Sequence, residues 1–121
     1  MARILIAEDE LPVREFVRRA LASDGHEVEA VDDGLAALAR LGESDGDFDL
    51  LITDIVMPGM DGIALALKLS ATRPDLRIIL MTGYAPERQR AHNLDALIHS
   101  VIAKPFSLRQ ILDATQDALA A

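Results

Sequence analysis

The chain of 121 residues contains no cysteine and no tryptophan. Without cysteine it has no disulfide, no thiolate metal site and no sulfur nucleophile. Aromatic residues make up only 3% of the chain while half of it is hydrophobic, so the core must be aliphatic, built from Leu, Ile, Val and Ala. Positive charge is scarce as well: 12 Lys and Arg stand against 20 Asp and Glu, and the formal net charge of -8 opposes attachment to nucleic acid or to an anionic membrane surface. No apolar run approaches spanning length, and the start MARILIAEDE turns acidic too soon for a signal peptide or an anchor. A cytoplasmic location is expected, with neither nucleic acid nor membrane as partner. Internal repeats and low-complexity tracts are missing too, and the only loose run, Glu43 to Asp47, reads as a surface loop.

The length suits one domain with one real core, residues 1–121, with no room for a second folded unit or an output domain. Five short apolar runs recur: Ile4 to Ala7, Val28 to Val31, Leu50 to Ile52, Ile78 to Met81 and Ile98 to Ala103. Helical patterns separate them, which points to an α/β fold with a parallel sheet. The first helix places Val13, Phe16, Val17, Ala20 and Leu21 on one stripe, with Pro12 fitted to its first turn and Gly25 to its end. Helices are also expected at Gly34 to Leu41 and Gly62 to Ser70. A short, weakly anchored fourth is expected at Pro86 to Asn93, where PERQRAHN offers almost no apolar stripe. The last opens on Ser107 and Gln110 in capping-box spacing and carries Leu108, Ile111, Leu112, Thr115 and Leu119 on one face. Glu27 to Val31 alternates polar and apolar as an edge strand does, whereas the other four runs are nearly all apolar. With right-handed crossovers this favours a doubly wound sheet of order 2-1-3-4-5, the flavodoxin and CheY arrangement, with five helices.

Ligands of such sheets bind beyond the carboxyl ends of the strands. Glu8 and Asp9 follow the first run, Asp54 the third, Thr82 the fourth and Lys104 the fifth. Three converging carboxylates repel by roughly 4 kcal/mol per close pair at an effective dielectric near 20, so a cation or raised pKa values must relieve them. An all-oxygen set without His or Cys selects a hard ion, and a few carboxylates plus water suit Mg2+. Each residue alone has an ordinary alternative: Glu8 or Asp9 as a helix cap, Thr82 as a strand-ending hydroxyl, Lys104 as a solvated residue before Pro105. His26, His92 and His99 share no ligand spacing. An FMN-binding flavodoxin needs phosphate-binding hydroxyls and amides after its first strand, where EDE repels phosphate.

The motifs ILIAEDE, LLITDIVMPGMDG, MTG and AKPF, in that order and each after a strand, resemble the receiver domain of bacterial two-component response regulators over essentially the whole chain. The resemblance implies a signalling module and not an enzyme: Asp54 as the phosphorylated carboxylate, with a histidine kinase or histidine phosphotransferase as donor. It implies Asp9, Asp54 and the Val56 backbone carbonyl as Mg2+ ligands and Glu8 acting through metal-bound water. Thr82 and Lys104 would take the phosphoryl oxygens. Two positions depart from the commonest pattern. Glu8 stands where Asp is frequent, and Val101 stands where many receivers carry a switch aromatic, which leaves Tyr84, in the loop after Thr82, as the only tyrosine. Pro105, following Lys104 out of a strand into a capped helix, is expected in a cis bond.

Among single-domain receivers the cues TDIVMP, the TG-aromatic loop and the missing switch aromatic resemble the CpdR type, which implies a downstream partner in an AAA+ protease system. The tail ALAA reads equally as a segment such proteases grasp or as an Ala-rich helix end. A monomer or weak dimer is expected, switching through a face of fourth helix, strand 5 and last helix. Two alternatives stay open: a small phosphatase or phosphotransferase using Asp54 covalently, and a binding module indifferent to phosphate.

Overall fold

The computed structural model describes residues 2–83 and 96–121. The expected helix at 86–93, Tyr84, Arg88, Arg90 and His92 lie outside the described residues. The described residues form these elements in order: β1 Arg3–Ala7, α1 Leu11–Ser23, β2 Glu27–Val31, α2 Gly34–Leu41, β3 Leu50–Asp54, α3 Gly62–Thr72, β4 Arg77–Thr82, β5 Ser100–Ala103 and α4 Leu108–Ala120. All pairings are parallel, and the order is β2-β1-β3-β4-β5. This is the expected fold class and strand order.

Strand alternation builds two cores. Leu5, Ala7, Leu51, Ile78 and Leu80 point to one face, where Ala37, Leu41, Leu65 and Leu69 of α2 and α3 cover them. Their neighbours Ile4, Ile6, Leu50, Ile52, Ile79 and Met81 point to the other, against Val17 and Leu21 of α1 and Ile111 and Ala118 of α4. Strands buried on both faces cannot show polar alternation, which is why β1, β3 and β4 are continuous apolar runs. The second edge is β5, which reads like an interior strand in sequence yet is only half-buried along its length.

Local signals hold the helices in place. The side chains of Asp33 and Asp61 accept from the N–H groups of Ala36 and Ala64 at 2.7 and 2.8 Å, capping α2 and α3. The expected capping box of α4 is present: Gln110 N–H donates to Ser107 Oγ at 3.1 Å and Ser107 N–H to Gln110 Oε1 at 2.7 Å. Gly25 turns the chain out of α1 with φ of 94°, a conformation that side chains rarely adopt. The N-cap of α1 is Glu10, with no side-chain cap bond, so neither Glu8 nor Asp9 fills that role.

Two expectations need correction. Phe16 and Leu108, placed on the buried stripes of the first and last helices, are 41% and 50% exposed, while Ala118, outside the expected stripe, is fully buried. Helix α3 runs two residues past Ser70, ending at Thr72 before the Pro74 turn. As expected, the run Glu43 to Asp47 lies at the surface, where it is clasped: Arg3 donates to the carbonyls of Asp45 and Asp47 at 2.9 Å, Arg73 to that of Gly46 at 2.8 Å, and Arg40 to the Asp45 carboxylate at 2.9 Å. The guanidinium groups of Arg3 and Arg40 also lie against the Phe48 ring, 4.4 and 5.3 Å from its centroid.

The turn from β3 into α3 depends on a close backbone approach. Gly62 N–H donates to the Ile55 carbonyl at 2.8 Å, and a Cβ on Gly62 would lie 2.2 Å from the backbone oxygen of Asp54. Backbone cannot yield as a flexible side chain can. Gly62→Ala is therefore expected to lower stability by on the order of 2 kcal/mol in urea unfolding. An unchanged midpoint would show that the loop relaxes around the methyl group.

Candidate functional site

Strand register assembles the site. In the β1 and β3 pair Ala7 lies opposite Thr53, so Glu8 and Asp54 emerge side by side. In the β4 and β5 pair Thr82 lies opposite Ala103, which brings Lys104 to the same end of the sheet. Ladder hydrogen bonds run one step past the strands, Glu8 N–H to Val31 at 3.1 Å, Ile55 N–H to Met81 at 3.1 Å and Lys104 N–H to Thr82 at 2.7 Å. These fix the backbones from which the polar side chains project. The Lys104–Pro105 bond is cis, as expected from the sequence.

Lys104 Nζ sits 2.6 Å from Glu8 Oε1, 3.1 Å from Asp54 Oδ2 and 3.7 Å from Glu10 Oε1. Glu8 is completely buried and Asp54 nearly so. The second oxygen of each acid also has a donor: Glu8 Oε2 accepts from Glu10 N–H at 3.1 Å and Asp54 Oδ1 from Ile55 N–H at 3.0 Å. Glu8, Glu10 and Asp54 each present a carboxylate oxygen within 4.8 Å of the others. Burial dominates the ionisation of Glu8 and Asp54. It pushes the Glu8 carboxyl up to about 7, against the Lys104 hydrogen bond and the Glu10 N–H, with the neighbouring Asp54 adding to the rise. Burial likewise raises Asp54 above the ordinary range, opposed by the Lys104 charge. For Lys104, burial pulls downward, but the Glu8 hydrogen bond and the Asp54 charge outweigh it and leave its pKa raised.

The expected residues are distributed as follows. Glu8, Asp54 and Lys104 meet in direct contact. Thr82 ends β4 fully buried at the same edge. Asp9 is exposed and is not one of the three clustered acids. Val56 follows Asp54 by two residues with its side chain 53% exposed. Val101 is half-buried against the α2 and α3 side of the core. Pro105 is exposed beside Phe106, whose ring lies 6.2 Å from that of Phe16. Glu10, the third acid of the EDE run, joins the cluster although the sequence assigns it no role of its own. An all-carboxylate donor set around one ammonium fits a hard divalent cation, which takes oxygen ligands and relieves the same repulsion.

The response regulator receiver domain family matches residues 4–116. The chain belongs to that family. This receiver is 40% identical over 121 residues to the response regulator receiver protein CpdR of Brucella abortus, covering all of this chain and 99% of that protein. It is also 40% identical over 119 residues to the sensor kinase CckA of the same organism, a match that covers 98% of this chain but 12% of the kinase. Among solved structures it resembles the response regulator TrrA of Thermotoga maritima in complex with Mg2+ and BeF, with 29% identity, a TM-score of 0.86, and coverage of 98% of this receiver and all of that chain. Receiver domains accept phosphoryl groups and bind Mg2+ at an acidic pocket, and they work with histidine kinases. No helix among the described residues is long and apolar enough to cross a membrane.

Because Glu8 is raised from 4.5 to about 7, the folded protein keeps a proton that the unfolded chain has released. The folded state binds more protons across that window, so the metal-free receiver should lose stability as pH rises from about 4.5 to about 7. The loss is expected to be on the order of 1–3 kcal/mol. Urea unfolding in EDTA across this range should show the decline, and Glu8→Gln should flatten it; an equal slope in the variant would assign the titration elsewhere. In the same buffer at pH 8, Asp54→Asn should be as stable as wild type or more so, because a buried charge is removed.

Proposed function

We propose that this receiver takes a phosphoryl group onto Asp54 in a Mg2+-dependent reaction and uses it to change the binding of a protein partner. The observation that carries this reading is the buried Asp54 carboxylate held 3.1 Å from Lys104 Nζ and within the group of three acids at the carboxyl ends of the strands. An oxygen of Asp54 attacks phosphorus in line, a new O–P bond forms, and the bond from phosphorus to the donor histidine nitrogen breaks, its electron pair leaving with that nitrogen. Asp9, Asp54 and the Val56 carbonyl would hold Mg2+ directly and Glu8 through metal-bound water. When bound, the ion supplies positive charge against the phosphoryl oxygens. Lys104 supplies a second cation, and the Thr82 hydroxyl a neutral donor, to the oxygens of the attached phosphoryl group. Lys104 and Thr82 are already anchored at that edge of the sheet.

Acetyl phosphate with Mg2+, read by intact mass, tests the reading. Wild type should gain one phosphoryl group, and Asp54→Asn should gain none at that position. Turnover of the reagent without an adduct would favour a small phosphatase, and no reaction a phosphate-independent binding module.

The donor is a histidine kinase or a histidine phosphotransferase. Similarity to CpdR over nearly its full length supports a downstream partner in an AAA+ protease system. Val101 has no ring to rotate, so the signal should pass from Thr82 into the chain that leads to β5 and α4. Hydrogen exchange with and without beryllofluoride and Mg2+ should therefore change most between Thr82 and Ala103. Thr82→Ala should still accept phosphate while losing much of that response. A change confined to the neighbourhood of Asp54 would show that phosphate is stored without being read along this route.

A further inference from the structure

We infer that the first turn of α2 is the seat on which the loop between β3 and α3 rests, and that Gly34 and Leu35, as positioning residues, thereby set the Mg2+ affinity of this receiver. The inference rests on the reading above in which the Val56 carbonyl is a Mg2+ ligand. Val56 to Met60 form the middle of that loop. Its ends are tied by hydrogen bonds, Ile55 N–H to the Met81 carbonyl at 3.1 Å and Gly62 N–H to that of Ile55 at 2.8 Å. Among the described residues, no backbone hydrogen bond reaches residues 56–60. Packing therefore places the middle of the loop. The buried Met57 side chain, 3.9 Å from Thr53 Oγ1, holds its inner side.

The other support comes from α2. A Cβ on Gly34 would lie 2.2 Å from the backbone oxygen of Met60, so the helix meets the loop there backbone to backbone. One residue along each segment, a Cβ on Gly59 would lie 3.1 Å from Leu35 Cδ1, and beyond the chain neighbours of Gly59 no other described residue comes within 4 Å of that position. The seat is itself fixed. Asp33 accepts from Ala36 N–H at 2.7 Å and closes the turn, while Ala37 and Leu41 anchor the helix in the core. A carbonyl ligand is aimed by its backbone, with no side-chain torsion to correct an error, and Mg2+ demands near-ideal octahedral geometry of its oxygens. What places the loop therefore places the ligand.

Titration calorimetry with MgCl2 reads this role without any phosphoryl transfer. Leu35→Ala and Gly34→Ala should each raise the Mg2+ dissociation constant by about tenfold, the low end for groups that orient a metal ligand without touching the ion. Leu35→Met nearly keeps the volume and should bind as wild type does. Leu67→Ala removes a leucine of similar exposure, 48% against 54%, from a position without contact to Gly59, and should leave the affinity unchanged. Because Leu35 is more than half exposed, Leu35→Ala should keep a urea midpoint close to that of wild type, which separates lost support from unfolding; if Gly34→Ala folds poorly, Leu35→Ala decides. In wild type, bound Mg2+ should in turn shift the amide signals of Gly34 and Leu35 in NMR. Wild-type affinity in Leu35→Ala, an equal loss in Leu67→Ala, or α2 signals unmoved by bound Mg2+ would each overturn the inference while leaving the cation-dependent reading intact. Failure of wild type itself to bind Mg2+ would overturn both.

Discussion

The ammonium of Lys104 is what allows buried carboxylates to coexist at the end of this sheet. Glu8 and Asp54 are pressed out of water by aliphatic strands that cannot solvate them, and the exposed Glu10, at the N-cap of α1, brings a third carboxylate close. Burial favours the neutral forms of Glu8 and Asp54, and the lysine opposes that by lying against both. A site in this balance responds strongly to any cation or anion that enters, because little solvent screens the exchange.

Everything else in the fold serves to hold those groups in register. The two aliphatic cores fix the sheet from both faces, and the ladder bonds that run one residue beyond the strands carry that order into Glu8, Ile55 and Lys104. The backbone of Gly62 packs onto the backbone of Asp54, which ties the start of helix α3 to the residue that carries the Asp54 carboxylate. At the opposite end of the sheet, Arg3, Arg40 and Arg73 clasp the acidic loop before β3. The excess of acid that weakens the chain's hold on polyanions is thus partly neutralised inside the molecule.

Glu8 stands where many members of the family carry Asp, and its carboxylate, one methylene further from the backbone, meets Lys104 Nζ at 2.6 Å. Val101, where many carry an aromatic, is half-buried against the α2 and α3 side of the core.

The sequence by itself determined the strand order, the capped helices and the placement of Glu8, Asp54, Thr82 and Lys104 at the carboxyl ends of the strands, because period-two and period-three-four apolar patterns, caps and turn residues act over a few neighbours. It also determined the family, through motifs spaced along nearly the whole chain. Tertiary structure alone decided two matters. Phe16 and Leu108 share a helical stripe with buried residues yet stand exposed, and stripe position by itself carries no information about what packs against it. Most consequential is the pairing of Lys104 with Glu8 across 96 residues of chain, with Glu10 joining the cluster while Asp9 faces outward. Adjacent residues leaving a strand point to opposite sides, so which acids of the EDE run turn inward is set by the end of β1 and the start of α1, and no local pattern in the run itself encodes it.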